Sequence, residues 1–210
     1  MPNPVVTLFT WGYEGWGNWT DKLVAAADAV EAARGWGAPV FVDVRASRKV
    51  RAEGFREKAF ERRFGPDRYR WIQGLGNKAI LTGEQYGSLL DPRQAADLLD
   101  LALGLHARRR RVIYFCSCVS PTAQCHRHWI APHVFELAEA RKQPVTIVEW
   151  PGFESEPGAI LPFKTNLRIL TSLEKGRVSV PWAPRCQQRR SWGYPGTRRW
   201  TWSTRRPGRR

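Results

Sequence analysis

Runs of β-branched and aromatic residues alternate along this chain with segments whose apolar positions recur every three or four residues. VVTLFTWGY (5–13), PVFVDVRA (39–46), RYRWI (68–72), RVIYF (111–115) and VTIVEW (145–150) are short and mostly apolar, the pattern of buried strands. The intervening segments carry helical spacing. In residues 18–37, Leu23, Ala27 and Val30 share a face; Thr20 or Asp21 is placed to cap that helix and Gly35 to end it. FREKAFERRF (55–64) reads as a short amphipathic helix, and residues 74–87 as a glycine-rich loop.

The clearest helix spans 91–111. Asp91 stands at its N-cap and Pro92 at its first position, where the missing N–H costs nothing. Ala95, Leu98, Ala102 and Leu105 form its apolar face, and arginines at its end suit the negative end of the helix dipole. Residues 121–142 predict another helix facing inward through Ile130, Val134 and Leu137. Pro132 kinks it or marks its true start. Residues 159–170 predict a further strand or short helix.

Strand and helix alternate five times. The fold class this implies is α/β: a mostly parallel sheet of about five strands with helices on both faces. Ligands of such sheets bind beyond the C-terminal ends of the strands. Three predicted ends carry polar or reactive residues: Tyr13 and Glu14, Asp43 and Arg45, and Cys116 with Cys118. Asp43 and Arg45 flank Val44, so both point to one face of their strand. They either pair with each other or supply a carboxylate for proton transfer beside an anion clamp.

Residues 112–134 hold three of the four cysteines and three of the four histidines. Cys116, Cys118 and Cys125 with His126 or His128 offer four ligands of the type zinc takes, His128 being the histidine of the preferred set. The C-x-C spacing is a poorer zinc pattern than C-x2-C, so no metal is expected, with this set as the alternative and the cofactor otherwise open. Cys125 also falls near a predicted helix N-terminus beside His126 and Arg127, where N–H groups and cations favour a thiolate and form an anion pocket. Burial as ordinary core residues is the competing reading for each cysteine. A buried Arg127 needs a carboxylate partner, and Asp43 is the candidate.

The formal net charge is +15 with a pI near 10.5, a balance that favours polyanionic partners. Ten arginines and no acidic residue lie in 176–210, which leaves +5 for the rest. That divides the chain into a single α/β domain (1–175) and an arginine- and tryptophan-rich tail (176–210) without apolar periodicity, expected to be disordered alone. In the tail, Arg189, Arg190, Trp192, Arg198, Arg199, Trp200 and Trp202 are candidates for phosphate contact and base stacking; a solvated extension is the alternative. Residues 45–70 hold ten basic and four acidic side chains, either a solvated face or a basic approach to the rim. No apolar run suits a membrane span, and no basic-then-apolar leader opens the chain. Four cysteines in a chain this long do not suggest a disulfide framework, so the expected setting is the cytoplasm, with no membrane partner.

TWGYEG, VDVRASRKVRAEGF, LGN and C…CHR occur in the order and spacing of the domain-of-unknown-function 488 family, which the chain resembles over roughly residues 5–150. The resemblance implies a small α/β domain with a parallel sheet. It puts Gly12, Tyr13, Asp43, Arg45, Gly76, Cys116, Cys125, His126 and Arg127 on motif positions. Where that family usually carries a glutamate, this chain has Cys118, which favours a metal or redox role here over a carboxylate. Together these readings point to an enzyme of a nucleic-acid, nucleotide or other phosphate-bearing substrate. Asp43, Arg45, Cys116, Cys125, His126 and Arg127 are its catalytic candidates, and Tyr13, Glu14, Gly76 and Asn77 line the substrate. A non-catalytic nucleic-acid-binding module and a zinc-stabilised regulatory domain are the alternatives.

Overall fold

The computed structural model describes residues 3–14, 16, 19–118, 125–152 and 160–161. All lie within the first of two units, Met1–Lys175. The tail candidates Arg189, Arg190, Trp192, Arg198, Arg199, Trp200 and Trp202 lie outside the described residues.

Six strands form one sheet: β1 (Val6–Gly12), β2 (Val40–Asp43), β3 (Tyr69–Trp71), β4 (Val112–Cys116), β5 (Val145–Glu149) and the two-residue β6 (Ile160–Leu161). Their order is β3-β2-β4-β1-β5-β6, and every neighbouring pair is parallel. Each helix therefore crosses over a face on its way to the next strand, the α/β architecture that the alternation predicts. Among the described residues, no helix is long and apolar enough to cross a membrane.

Strand parity divides the core. Leu8 of β1, Val40 and Val42 of β2, Val112 and Tyr114 of β4, and Val145 and Ile147 of β5 face α4 (Ala95–Ala107) and α5 (His126–Ala140). Phe9, Phe41, Ile113 and Val148 face the other way, onto α1 (Thr20–Ala33) and α2 (Ala59–Phe64) with Phe55 and Phe60. Burying each large apolar side chain contributes about 1.5–3 kcal/mol, so both layers bind the helices firmly. Leu23, Ala27 and Val30, and Ala95, Leu98, Ala102 and Leu105, are buried as the helical spacing predicts.

Several boundaries differ from expectation. Trp19 is the N-cap of α1 and no side chain caps it, because the Asp21 carboxylate is engaged by Arg63 at 3.0 Å through two nitrogens. The glycine-rich loop contains a four-residue helix, α3 (Ala79–Thr82), closed by Gly83 in the left-handed region at φ +72°. α5 starts at His126 rather than at 121, with Pro132 inside it. Asp91 caps as expected, accepting from the Arg93 N–H with Pro92 at the first position; a 3-10 turn then leads into α4.

Candidate functional site

The C-terminal ends of β1, β2, β4 and β5 form one rim, and the register places Asp43 beside Phe115 and Gly12 beside Cys116. Asp43, Arg45, Cys116, Cys125, His126 and Arg127 all belong to this rim. The sheet nevertheless separates them. Asp43 continues the parity of Phe41 and faces the aromatic layer; Cys116 continues that of Val112 and Tyr114 and faces α5.

On the aromatic side, Asp43 and Arg45 pair with each other. Arg45 Nε donates to Asp43 Oδ1 at 2.8 Å and Nη2 to Oδ2 at 2.5 Å, while the Arg45 backbone N–H reaches Oδ1 at 3.1 Å. Tyr69 Oη donates to Oδ2 at 2.8 Å. Arg45 also donates to Tyr13 Oη at 3.1 Å and to the Phe55 carbonyl at 2.9 Å. Burial pulls the Arg45 guanidinium down, but Asp43 outweighs it and holds it well above its ordinary value. Burial likewise pushes the Tyr13 and Tyr69 hydroxyls up. Each carboxylate oxygen of Asp43 thus accepts two hydrogen bonds from within the protein, an arrangement that fixes the end of β2.

Gly76 and Asn77 support that end from the next loop. A Cβ on Gly76 would stand 2.1 Å from the Ala46 backbone nitrogen, so only glycine allows this approach. Asn77 Oδ1 accepts from the Ala79 N–H at 3.0 Å. The first is a close approach between distant parts of the chain, the second a local turn contact.

On the α5 side the thiols come together. Cys116 closes β4 and Cys125 is the N-cap of α5, so the two ends of a nine-residue excursion bring their sulfurs to 3.6 Å. Both are buried, as is His126 at 8% exposure. One ligand atom from each of Cys116, Cys125 and His126 lies within 4.8 Å of the other two, an arrangement able to hold a metal ion. Of the two histidines the sequence offers as ligands, His126 belongs to this cluster and His128 does not. It lies two residues, about 200°, round the helix from His126. Cys118, a half-buried thiol, adjoins them: its side chain hydrogen-bonds with those of Cys116 and Cys125, and its backbone N–H approaches the Cys116 sulfur at 3.4 Å.

Hydrogen bonding from Cys116 first, then from Cys118, holds the Cys125 thiol far below its usual value; Arg127 and His126 add to this against the opposing effect of burial. Burial pushes Cys116 well up. Burial also lowers His126, against the pull of the Cys125 thiolate. Its ring lies against the Val44 backbone, yet Nε2 has no hydrogen-bond partner.

Arg127 is buried directly behind this cluster. Its partner is Glu149 at the end of β5, not Asp43: Nη1 donates to the two carboxylate oxygens at 3.0 and 3.2 Å and to Thr10 Oγ1 at 3.3 Å. Nη2 donates to the Cys118 carbonyl at 2.9 Å. Burial pushes the Glu149 carboxyl up to about 7 despite the guanidinium beside it. The same carbonyl explains Gly12, where a Cβ would stand 1.5 Å from the Cys118 oxygen.

Sequence reasoning missed Glu149, Thr10 and Tyr69. Glu149 carries the one usable signal, a carboxylate ending an otherwise apolar strand, since a buried charge needs a partner. Between the faces, an open depression of about 400 Å³ is lined by Tyr13, Glu14, Ala52, Ser117 and Cys118. Compared with known proteins, the chain matches no family model, no curated protein and no solved structure.

Proposed function

We propose that this domain is a zinc protein whose ion is held at the sheet rim by Cys116, Cys125 and His126 and forms its functional centre. The carrying observation is the buried cluster of two sulfurs and an imidazole within 4.8 Å, with His126 Nε2 unpartnered. A buried polar atom without a partner calls for an ion or another explanation. Two thiolates on a tetrahedral zinc, with Zn–S near 2.3 Å, stand about 3.8 Å apart. The 3.6 Å between Cys116 and Cys125 is close to that. Two soft sulfurs and one imidazole suit zinc better than magnesium or calcium, which take oxygen ligands. Arg127 and Glu149 balance each other's charge behind the cluster and fix the Cys118 backbone. The resemblance to the domain-of-unknown-function 488 family supports the same rim, because Gly12, Cys116, Cys125, His126 and Arg127 are its motif positions.

This reading differs from an anion-binding enzyme in one respect. Arg45 and Arg127 are the candidate phosphate clamps; all three Arg45 nitrogens and both terminal nitrogens of Arg127 donate to protein acceptors, while the buried Arg127 Nε has none. A nucleic-acid role then rests on the tail, outside the described residues. A second reading, thiol chemistry at Cys125 without metal, draws on its stabilised thiolate.

Elemental analysis of protein purified without chelator tests the proposal. About one zinc per chain is expected, lost on Cys125→Ser or His126→Ala, because such metal affinity depends on each ligand. Metal-free wild-type protein whose Cys125 alkylates rapidly, and which gains no zinc on titration, overturns it in favour of the thiol reading.

A further inference from the structure

Resting on the zinc reading, we infer that Cys118 is the fourth ligand, so that Cys116, Cys118, Cys125 and His126 enclose the ion and it works as a clasp on the rim rather than as a Lewis acid. The pairing of β4 with β1 continues past the last strand residue. The Tyr13 N–H donates to the Cys116 carbonyl at 3.1 Å and the Glu14 N–H to the Ser117 carbonyl at 3.2 Å. Extended backbone places side chains two residues apart on one face. Cys118 accordingly shares the α5 side with Cys116, and it packs against the core layer that contains Cys116, Cys125 and Ile130. This parity is what lets a C-x-C pair serve one ion.

Contacts within the cluster carry the assignment. The Cys118 side chain hydrogen-bonds with those of Cys116 and Cys125, and its backbone N–H approaches the Cys116 sulfur at 3.4 Å. Three thiols are thus in contact, and two of them lie within 4.8 Å of a ring nitrogen of His126, whose Nε2 is buried without a partner. Cys118 stands outside the group whose ligand atoms all lie within 4.8 Å of one another. It is also the half-buried member, with room to turn about χ1 onto an ion that the three buried donors hold. None of Cys116, Cys125 and His126 borders the solvent-open depression, whereas Cys118 does, so this thiol stands between the buried donors and that solvent. Asp43 is no competitor, because it faces the other side of the sheet and is held by Arg45 and Tyr69.

Structural zinc sites are closed by four protein ligands, and three cysteines with one histidine are a standard set. A zinc ion with three thiolates and a neutral imidazole carries one net negative charge. Behind it lies the buried Arg127 guanidinium, shared with Glu149, which also holds the Cys118 carbonyl at 2.9 Å. An ion so enclosed ties the end of β4, through Cys116, to the start of α5, through Cys125 and His126. Its binding energy then adds to the stability of the rim.

Measurements on the full chain test this. Zinc X-ray absorption of the loaded wild type should fit three sulfur neighbours and one nitrogen. Cys118→Ser should weaken zinc binding at least about tenfold, while Ser117→Ala, one residue away, should leave it within about twofold. In the zinc-loaded wild type, Cys118 should resist iodoacetamide despite its exposure and react once a chelator has removed the ion, with the modified residue located by peptide mass. This arm needs no variant, so it decides the matter even where Cys118→Ser does not fold. The cobalt-substituted protein should keep its visible d–d bands when imidazole is added, since no position is open to it. Two sulfur neighbours, undiminished zinc affinity in Cys118→Ser, equal alkylation of Cys118 with and without zinc, or a band shift with imidazole overturns the inference and leaves the zinc reading intact. A wild type that binds no zinc overturns both.

Discussion

Replacing Arg127 by methionine removes a cation that is 1% exposed and hydrogen-bonded to Glu149, Thr10 and the Cys118 carbonyl. Methionine fills similar volume, so the lost charge and hydrogen bonds dominate over cavity formation. With the guanidinium beside it, burial pushes the Glu149 carboxyl up to about 7, so at pH 8 it is mostly ionised; without Arg127 the protein must either bury that anion or take up a proton on it. Breaking a buried pair from one side costs about 3–5 kcal/mol. For a unit of this size that lowers Tm by roughly 6–20 °C, out of a total stability of about 5–15 kcal/mol. The loss should depend on pH. Glu149 has a folded value above its unfolded 4.5, so its contribution to stability is full below about pH 4.5 and lost as pH rises through 7. At pH 5.5 the carboxyl is largely protonated, the guanidinium has less to neutralise, and Arg127→Met should cost clearly less than at pH 8. Urea unfolding of the wild type, Arg127→Met, Glu149→Gln and the double variant at both pH values measures this. The double variant should regain much of the loss, since neither charge is then left alone. A cost under about 1 kcal/mol at pH 8, or equal costs at the two pH values, would refute the reasoning from buried charge.

Gly12→Ala places a methyl 1.5 Å from the Cys118 oxygen, which Arg127 holds in position, and should cost at least about 3 kcal/mol in urea unfolding; a loss below 1 kcal/mol would show that the carbonyl moves freely. Gly104→Ala, in the exposed middle of α4 with nothing within 4 Å of the new methyl, should stabilise by about 0.5–1 kcal/mol, and a destabilised variant would contradict the open surroundings described. Deleting the residues after Val180 should leave the unfolding transition unchanged and remove most of the salt dependence of single-stranded nucleic-acid binding, which falls by roughly 0.7 in log K per phosphate contact per decade of salt. Equal slopes for full-length and shortened protein would exclude the tail as the binding element.

Periodicity made the sheet and its main helices legible, because buried strands and amphipathic helices differ over five or more residues. The rim was legible for the same reason: Asp43 and Cys116 end strands that must run in parallel. Their separation onto two faces was not, since parity is fixed within a strand but not between strands without the register. The pairing of Arg127 with Glu149 joins α5 to β5 across that register, so Asp43 looked equally suitable as a partner. His126 rather than His128 joins the sulfurs because α5 starts at 126, and one helical phase decides which imidazole turns inward. Asp21 shows the limit of local capping rules, as a tertiary partner outcompeted the helix terminus for its carboxylate.

The place of β1 in the sheet affects how the chain is made. β1 lies inside the sheet and is made before both of its neighbours, β4 and β5, which follow only after about a hundred further residues. During synthesis Leu8 and Phe9, both fully buried in the finished sheet, have no strand beside them, and Gly12 has no carbonyl above it. Pairings this distant in sequence close slowly, leaving apolar surface exposed for chaperones to cover. The thiols of Cys116 and Cys125 belong to the same late-forming region, so a nascent chain halted before β4 carries neither of them, and one halted before β5 carries both with Arg127 still lacking its carboxylate.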